Sequence, residues 1–461
     1  MTEIAAYGIT PATALVVLAA AALGTLVVFL WSLRRFEIAL ALVLLSSWVP
    51  WLFFANVEID VRQEEAGMGT YLRIAMVALA GVIGYAKSIQ QRSAMQRPVP
   101  PRFLLLGAFL VYGVASAAYS ITAQYTLVRA AEGLLFLGFL LGFCAWLDDE
   151  PRLDRTLDIL CAWMAVGLVL HLAALPLFPG RVWYVESPNR FQGLWGQPNT
   201  MGMFCLVCYP LFLWRYARSS PRVKPVYLGL LACALLAHVL SGSRSSLLAA
   251  AVGLVAWCIV LRQWSWLSVL AGVALIGMSA LWALPRVVPS FQRNDSTDIT
   301  DLTGRDEFWR NAYDLIKKKP VIGYGYEVAG EIWGDQQFER TSLTGLHSAR
   351  MSLHNGYLNV AVGSGLIGLL LWLIILLLGP GRLLLAPPSA YKALLLVSMT
   401  QLLVLNFFES AITSSRDMGS LAFWLFWAIS SKEALFSAKP ASMDVAEESR
   451  LANRPAMLIG G

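Results

Sequence analysis

The sequence predicts an all-α polytopic membrane protein of about 12 (12–13) transmembrane helices, with one long periplasmic segment containing amphipathic helices. Three observations lead there. The 461-residue chain is 57% hydrophobic and only 14% charged, against about 25% charged in soluble domains. Its mean hydropathy is +0.62. Its apolar residues come in runs of about 18 or more, the length that crosses a bilayer. A spanning β-barrel would instead show alternating segments of roughly 10 residues, and none occur.

Spans are expected near 11–31, 36–54, 71–89, 103–121, 126–147, 157–178, 198–216, 226–240, 245–261, 264–285, 353–378, 391–410 and 419–431. Residues 11–31 lack a basic flank before them and a small-residue cleavage site after them, so no cleavable signal peptide is expected. The first and last runs are the weakest as full crossings. Four regions follow: a transmembrane bundle over 1–285, a long external loop with an amphipathic helix over 286–352, C-terminal transmembrane helices over 353–431, and a polar cytoplasmic tail over 432–461.

Basic loops alternate along the chain. Arg34 and Arg35, then Lys87 to Arg102, Arg152 and Arg155, Arg215 to Lys224, Arg262, and Arg382 with Lys392 mark every second connection. That set is cytoplasmic by the positive-inside rule. Topology therefore accounts for the net charge of +6, and no nucleic-acid partner is needed. Strict parity puts the N-terminus outside, and an interfacial first span puts it inside. The external set holds "NVEIDVRQEEAG", "GRVWYVESPNRFQGLWGQPN" and the stretch from about 286 to 352. Loops of that length are usually functional.

Within the long stretch, "DLTGRDEFWRNAYDLIKKKP" reads as a helix. Thr303 with Asp306 forms a capping-box pattern. Phe308, Ala312, Leu315 and Ile316 share a face. Lys317 to Lys319 suit the negative end of the helix dipole, and Pro320 ends the helix. Such a helix either lies on the outer membrane surface or packs on the bundle. The glycines of "GYGYEVAG" mark a turn. They are not a nucleotide fingerprint, because no βαβ unit surrounds them.

Ionisable residues inside spans are costly and default to function. Arg73, Arg129, Glu132, His238, Arg244, His354 and Glu409 all fall near the external ends of their spans, with His171 mid-span. Each also has a structural reading. Arg129 and Glu132 make an i,i+3 ion pair, and Arg73 snorkels to the interface. His171 and His238 are packed, hydrogen-bonded rings. Arg244 fits snorkelling least well, between serines in a tight turn. One-sided clustering suits chemistry at the outer face. A flippase or transporter would line both leaflets around a midplane site.

Other chemistries lack their residues. The four histidines are dispersed, with no H-E-x-x-H, and no metal or other cofactor is expected. No G-x-S-x-G elbow or P-loop is present. The cysteines Cys144, Cys161, Cys205, Cys208, Cys233 and Cys258 lie in apolar runs. Cys205 and Cys208 have redox-motif spacing but read as small buried residues. External arginines and one histidine remain. Guanidinium groups recognise phosphate in two-pronged fashion and can stabilise a departing diphosphate. His354, at the mouth of a helix, would sit where the dipole favours neutral imidazole, able to take a proton from a hydroxyl. Donation of its N–H to a diphosphate is the alternative.

Four pieces between about 190 and 370 carry a family resemblance. "HNGYLNVAVGSGLIG" (His354 to Gly368) resembles the signature of the O-antigen ligase and polymerase superfamily. "NRFQGLWGQPNTMG" resembles its Arg-x-x-Gly…Pro-Asn segment, "SGSRSSLLA" its Gly-Ser-Arg turn, and "TGRDEFW" its Gly-Arg…Trp segment. The resemblance implies a metal-independent, inverting glycosyltransferase of the bacterial inner membrane with its active site facing the periplasm. Its donor would be a glycan on undecaprenyl diphosphate. Its acceptor would be a sugar hydroxyl of lipid A–core in the ligase branch, or a second lipid-linked glycan in the polymerase branch. The ligase is favoured by the length and layout of the external segment. The short tail speaks against the protein-glycosylating branch. The implied catalytic residues are His354, Arg244 and Arg305. Arg190, Asn199, Asn355, Arg129 and Glu132 would contact diphosphate or sugar.

Overall fold

The apolar runs fold as helices whose ends fall where the polar breaks lie. A computed structural model describes residues 28, 30–32, 34–48, 68–95, 99–184, 187–262, 305–330, 332, 353–386, 389–413 and 418–432. Most of the 11–31 span, the 264–285 span, Thr303 of the expected capping box, most of the 286–352 loop and the tail beyond 432 lie outside the described residues. The helices are α1 Glu37–Ser46, α2 Met68–Met95, α3 Pro101–Ala115, α4 Ala123–Trp146, α5 Glu150–Leu177, α6 Pro198–Arg218, α7 Lys224–Ser241, α8 Arg244–Val260, α9 Arg305–Lys318, α10 Gly356–Leu385, α11 Ala390–Leu405 and α12 Met418–Ile429. Among the described residues, 6 stretches are long and apolar enough to cross a membrane: 71–91, 101–118, α4, α5, α7 and α10. Helices α1, α8, α11 and α12 are shorter apolar helices.

Local chemistry sets several boundaries. Asp149 caps α5 by accepting from the Arg152 amide at 2.8 Å, and Ser389 caps α11 from the Lys392 amide at 3.1 Å. Each satisfies one of the amides a helix start leaves open. Gly242, at φ 60°, ends α7 and lets the chain turn at once into α8.

The all-helical expectation needs one addition. Trp183–Tyr184 (β1) and Ser187–Phe191 (β2) form an antiparallel hairpin, with Trp183 opposite Phe191. The aromatic and β-branched residues of "VWYV" favour extended backbone, and the Trp183 and Phe191 rings pack edge to face at 5.9 Å.

Helices α2 and α4 cross on a seam of glycines. A Cβ at Gly84 would stand 2.2 Å from the Gly138 carbonyl oxygen, and one at Gly142 would stand 2.4 Å from Gly84 Cα. Close backbone approach is how helices associate where no hydrophobic force separates protein from lipid. The two helices also share an ion pair: Arg73 donates to Glu132 at 2.6 Å, both side chains buried. Arg73 therefore does not snorkel as expected. Glu132 offers a charged acceptor across the seam, and a buried cation is held by its counter-ion.

Helix α9 packs its expected apolar face on protein. Ala312 and Leu315 are buried with Val328, Ala329, Leu353 and Val362, and Phe308 and Ile316 pack against them. The apolar face of α9 is therefore spent on the bundle.

Helix α10 is broken at Gly365, whose φ of 67° and ψ of −173° are not helical. The segment Pro320–Gly325 lies along the break. The Leu366 amide donates to the Pro320 carbonyl at 2.8 Å, and the amides of Tyr324 and Gly325 donate to the carbonyls of Val362 and Gly363 at 3.1 and 2.8 Å. Backbone groups freed by a break in a helix require such replacement partners. A Cβ at Gly365 would stand 2.2 Å from the Val321 carbonyl oxygen. Gly365→Ala is therefore expected to cost about 1–3 kcal/mol, read as a lower Tm in detergent. Gly229→Ala on the exposed face of α7, where nothing lies within 4 Å, should leave Tm unchanged or slightly higher. Equal Tm values for the two variants would show that Val321 does not constrain the break.

Candidate functional site

At one end of the bundle α6, α8 and α10 begin and α7 and α11 end. The chain leaving α11 folds back through 406–413 instead of continuing outward. The Asn406 side chain accepts from the Ile412 amide at 3.1 Å, and its carbonyl accepts from the Gly356 amide at 2.8 Å. Gly356 is required there, because a Cβ would meet the Asn406 amide at 2.2 Å. This turn points Glu409 at three partners. Arg305 donates to Glu409 Oε1 at 2.6 Å, Asn199 Nδ2 donates to the same oxygen at 2.8 Å, and His354 Nδ1 lies 3.0 Å from Oε2. Arg305 also donates to the Phe408 carbonyl at 2.6 Å.

Burial raises the Glu409 carboxyl, but the His354 hydrogen bond and charge, with those of Arg305, outweigh it and hold the group below the ordinary glutamate value. The carboxylate is thus ionised at neutral pH and only accepts hydrogen bonds. His354 Nδ1 must therefore carry the proton it donates. In the neutral ring, Nε2 then holds the lone pair.

His354 does not enter the first turn of α10, as expected, but stands just ahead of it. Asn355 is the cap, its side chain accepting from the amides of Tyr357 and Leu358 at 3.0 Å each. His354 has φ 47°, a conformation that costs a non-glycine residue about 1–2 kcal/mol. The backbone is held just before His354 and again two residues after it. Trp309 Nε1 donates to the Leu353 carbonyl at 3.1 Å, and the Gly356 amide bonds Asn406 as above. Strain so firmly imposed is typical of functional positions. Helix α9 therefore supplies both Arg305 and the indole that fixes the peptide before His354.

Arg190 joins from β2. Its Nε donates to the Ser241 carbonyl at 2.9 Å and its Nη2 to Asn199 Oδ1 at 2.9 Å. Asn199, in the first turn of α6, thus links Arg190 to Glu409. The histidines expected to be packed build the frame for this arm. His171 Nδ1 accepts from the Leu194 amide at 2.9 Å within a box of Trp48, Trp195 and Phe204 rings. Gly193, at φ 59°, gives that loop its bend. His238 Nε2 bonds Ser246 Oγ at 2.6 Å, and Ser246 bonds the Ser243 carbonyl at 3.0 Å. This pins the turn that presents the Ser241 carbonyl. Arg244 is half-buried at the first position of α8, three residues beyond Ser241.

Arg129 and Glu132 form a second cluster. They make the expected i,i+3 pair at 2.7 Å, joined by Arg73, and the Arg129 guanidinium stacks on Tyr125 at 4.9 Å. This cluster borders a recess lined also by Phe109, Phe136, Tyr326 and Trp372. The site thus gathers Arg190, Asn199, Arg305 and His354 around Glu409, an acid the sequence flags only as an ionisable residue near a span end. No group of three or more His, Cys, Asp or Glu suited to a metal occurs among the described residues.

Two comparisons bear on this arrangement. Residues 229–373 match the family model described as O-antigen ligase, a stretch that includes Arg244, Arg305 and His354. The exopolysaccharide production protein ExoQ of Rhizobium meliloti (strain 1021) is 31% identical over 117 residues, covering 24% of this chain and 24% of that protein. The match therefore spans about a quarter of the relative's length. Both support the O-antigen ligase/polymerase superfamily.

A carboxyl held below its unfolded value contributes stability that is complete above that value, about 4.3, and is lost as pH falls through the lowered one. Acidification should therefore lower the Tm of the solubilised protein, and Glu409→Gln should flatten that acid limb while lowering Tm at neutral pH. Tryptophan fluorescence melts across pH would read both. Parallel acid limbs in the two proteins would contradict the linkage.

Proposed function

We propose, with the O-antigen ligase family segment at 229–373 as premise, that this membrane protein is a glycosyltransferase acting on lipid-linked polysaccharide. In this reading it moves a glycan en bloc from undecaprenyl diphosphate to a sugar hydroxyl of lipid A–core, at the periplasmic face of the bacterial inner membrane. The observation that carries it is the Glu409 hub, which brings an imidazole, two guanidinium groups and an amide into one hydrogen-bonded network at one end of the bundle.

The chemistry follows from that network. The acceptor hydroxyl attacks the anomeric carbon as the bond to the diphosphate oxygen breaks, with inversion. His354 takes the hydroxyl proton at Nε2, while Glu409 orients the ring and stabilises the imidazolium that forms, as a triad carboxylate does. Each guanidinium has five N–H groups in a planar fork, and those of Arg305 and Arg190 engage protein carbonyls, Glu409 and Asn199. They can share one face with Glu409 and Asn199 and offer another to the diphosphate. Arg244 adds a third cation at this end. Asn355 serves the site through the helix cap. The recess beside Arg129 and Glu132, with its aromatic walls, suits the prenyl chain or a sugar of the donor. Negative charge developing on the leaving diphosphate meets preorganised cations, so the step needs no metal.

Polymerisation, with a second lipid-linked glycan as acceptor, is the competing reading, favoured by the likeness to an exopolysaccharide production protein. Reconstitution with one lipid-diphosphate glycan and both acceptors decides between them. Product on lipid A–core is expected, and extension of lipid-linked glycan alone would make it a polymerase. Transfer should continue in EDTA.

For His354→Gln, kcat should fall roughly 10²–10⁴-fold with KM little changed. A raised KM with kcat intact would make His354 a diphosphate ligand instead. Arg305→Lys should also be weak, because an ammonium group cannot bind Glu409 and Phe408 as a fork and still present a planar face to phosphate. Full activity in Arg305→Lys would refute the two-pronged contact.

A further inference from the structure

The buried face of α9 leaves its opposite side to be explained. Tyr313, Lys317, Lys318, Lys319, Val321 and Ile322 are all exposed, Tyr313 and Val321 to 58% and 56%. Exposed aliphatic residues beside lysines are costly in water, and this set does not stand alone. The Ile367 amide donates to the Val321 carbonyl at 3.4 Å. From Ile367 an exposed apolar stripe runs down α10 through Leu370, Ile374 and Leu377, on a helix long enough to cross a membrane. Val321 and Ile322 are therefore the top of the lipid-facing belt, and the three lysines stand directly beyond it. Tyr112 and Tyr119 hydroxyls, both bonded to the Ile322 carbonyl, at 3.4 and 3.0 Å, mark the same level. Aromatic hydroxyls concentrate at the membrane–water boundary.

We propose that Lys317, Lys318 and Lys319, with Tyr313, Val321 and Ile322, form a docking surface for the headgroups of anionic phospholipids. Charge complementarity names the occupant. Among the described residues of this surface, three lysines face one acid, Asp314, which is 3.7 Å from Lys317 and itself exposed. The ammonium groups of Lys317 and Lys319 lie 4.3 and 4.6 Å from the centroids of the Tyr313 and Tyr324 rings, so two of the three cations are held against aromatic faces on this surface. Apolar insertion plus basic charge is the combination that binds an anionic leaflet. Docking would fix the depth of α9, and with it Arg305, relative to lipid headgroups. The inference needs the membrane and not the transfer reaction, so it stands or falls separately from the glycosyltransferase reading.

The test uses the full chain in bilayers of phosphatidylcholine and phosphatidylglycerol, probed with spin-labelled forms of each lipid. Wild type should hold phosphatidylglycerol in preference to phosphatidylcholine, and the preference should weaken with salt. The K317Q/K318Q/K319Q variant should lose about twofold or more of that preference. An unchanged preference in the variant overturns the proposal. As a second reading, a nitroxide on Tyr313→Cys should collide more with dissolved oxygen than with a water-soluble nickel chelate. The reverse order places α9 in water and also overturns it.

Discussion

A carboxylate among cations at the half-buried end of a helical bundle persists only while every partner stays in place. Glu409 is that carboxylate. Removing one side of such a pair typically costs several kcal/mol, because the remaining charge is left stranded. Its two oxygens receive Arg305 from α9, Asn199 from α6 and His354 from the mouth of α10. Three segments far apart in sequence thus share one anion. That contact ties their positions together, and Arg190 is placed through Asn199 one bond further out.

Around this hub the supporting parts are backbone groups, held by residues that never touch it. The Ser241 carbonyl, the Phe408 carbonyl and the Leu353 carbonyl receive Arg190, Arg305 and Trp309. His171 and His238 hold the loops that offer two of these elements, Arg190 and Ser241. His238 bonds through both ring nitrogens, to Tyr209 and Ser246, while its ring stacks on Tyr209, and His171 accepts at Nδ1 while its ring packs among Trp48, Trp195 and Phe204.

Much of this was legible beforehand. The long apolar runs gave helices at α2 to α5, α7 and α10, because length and hydropathy alone decide what crosses a bilayer. His354 was readable as an ionisable group at a span mouth, whereas Arg190, Asn199 and Arg305 were reached only through the family resemblance of the pieces that hold them. Glu409 was visible only as an acid near a span end. Its role depends on the backward turn at 406–413, and that turn is made by Asn406 bonding across elements, which no local pattern encodes. Arg73 was misread for the same reason: its partner Glu132 lies 59 positions away. The β1–β2 hairpin was hidden because it is short and sits among residues that read equally as loop.

The break in α10 has a further implication. Residues 320–325 stand in for the helical turn that 362–367 lacks, so the two segments are halves of one hydrogen-bonding unit, although about forty positions separate them. Inheritance and engineering alike must therefore treat them as a matched pair. A chimera that grafts the segment preceding α10 from a relative onto this scaffold would keep its helix intact only if the partner stretch of backbone travelled with it.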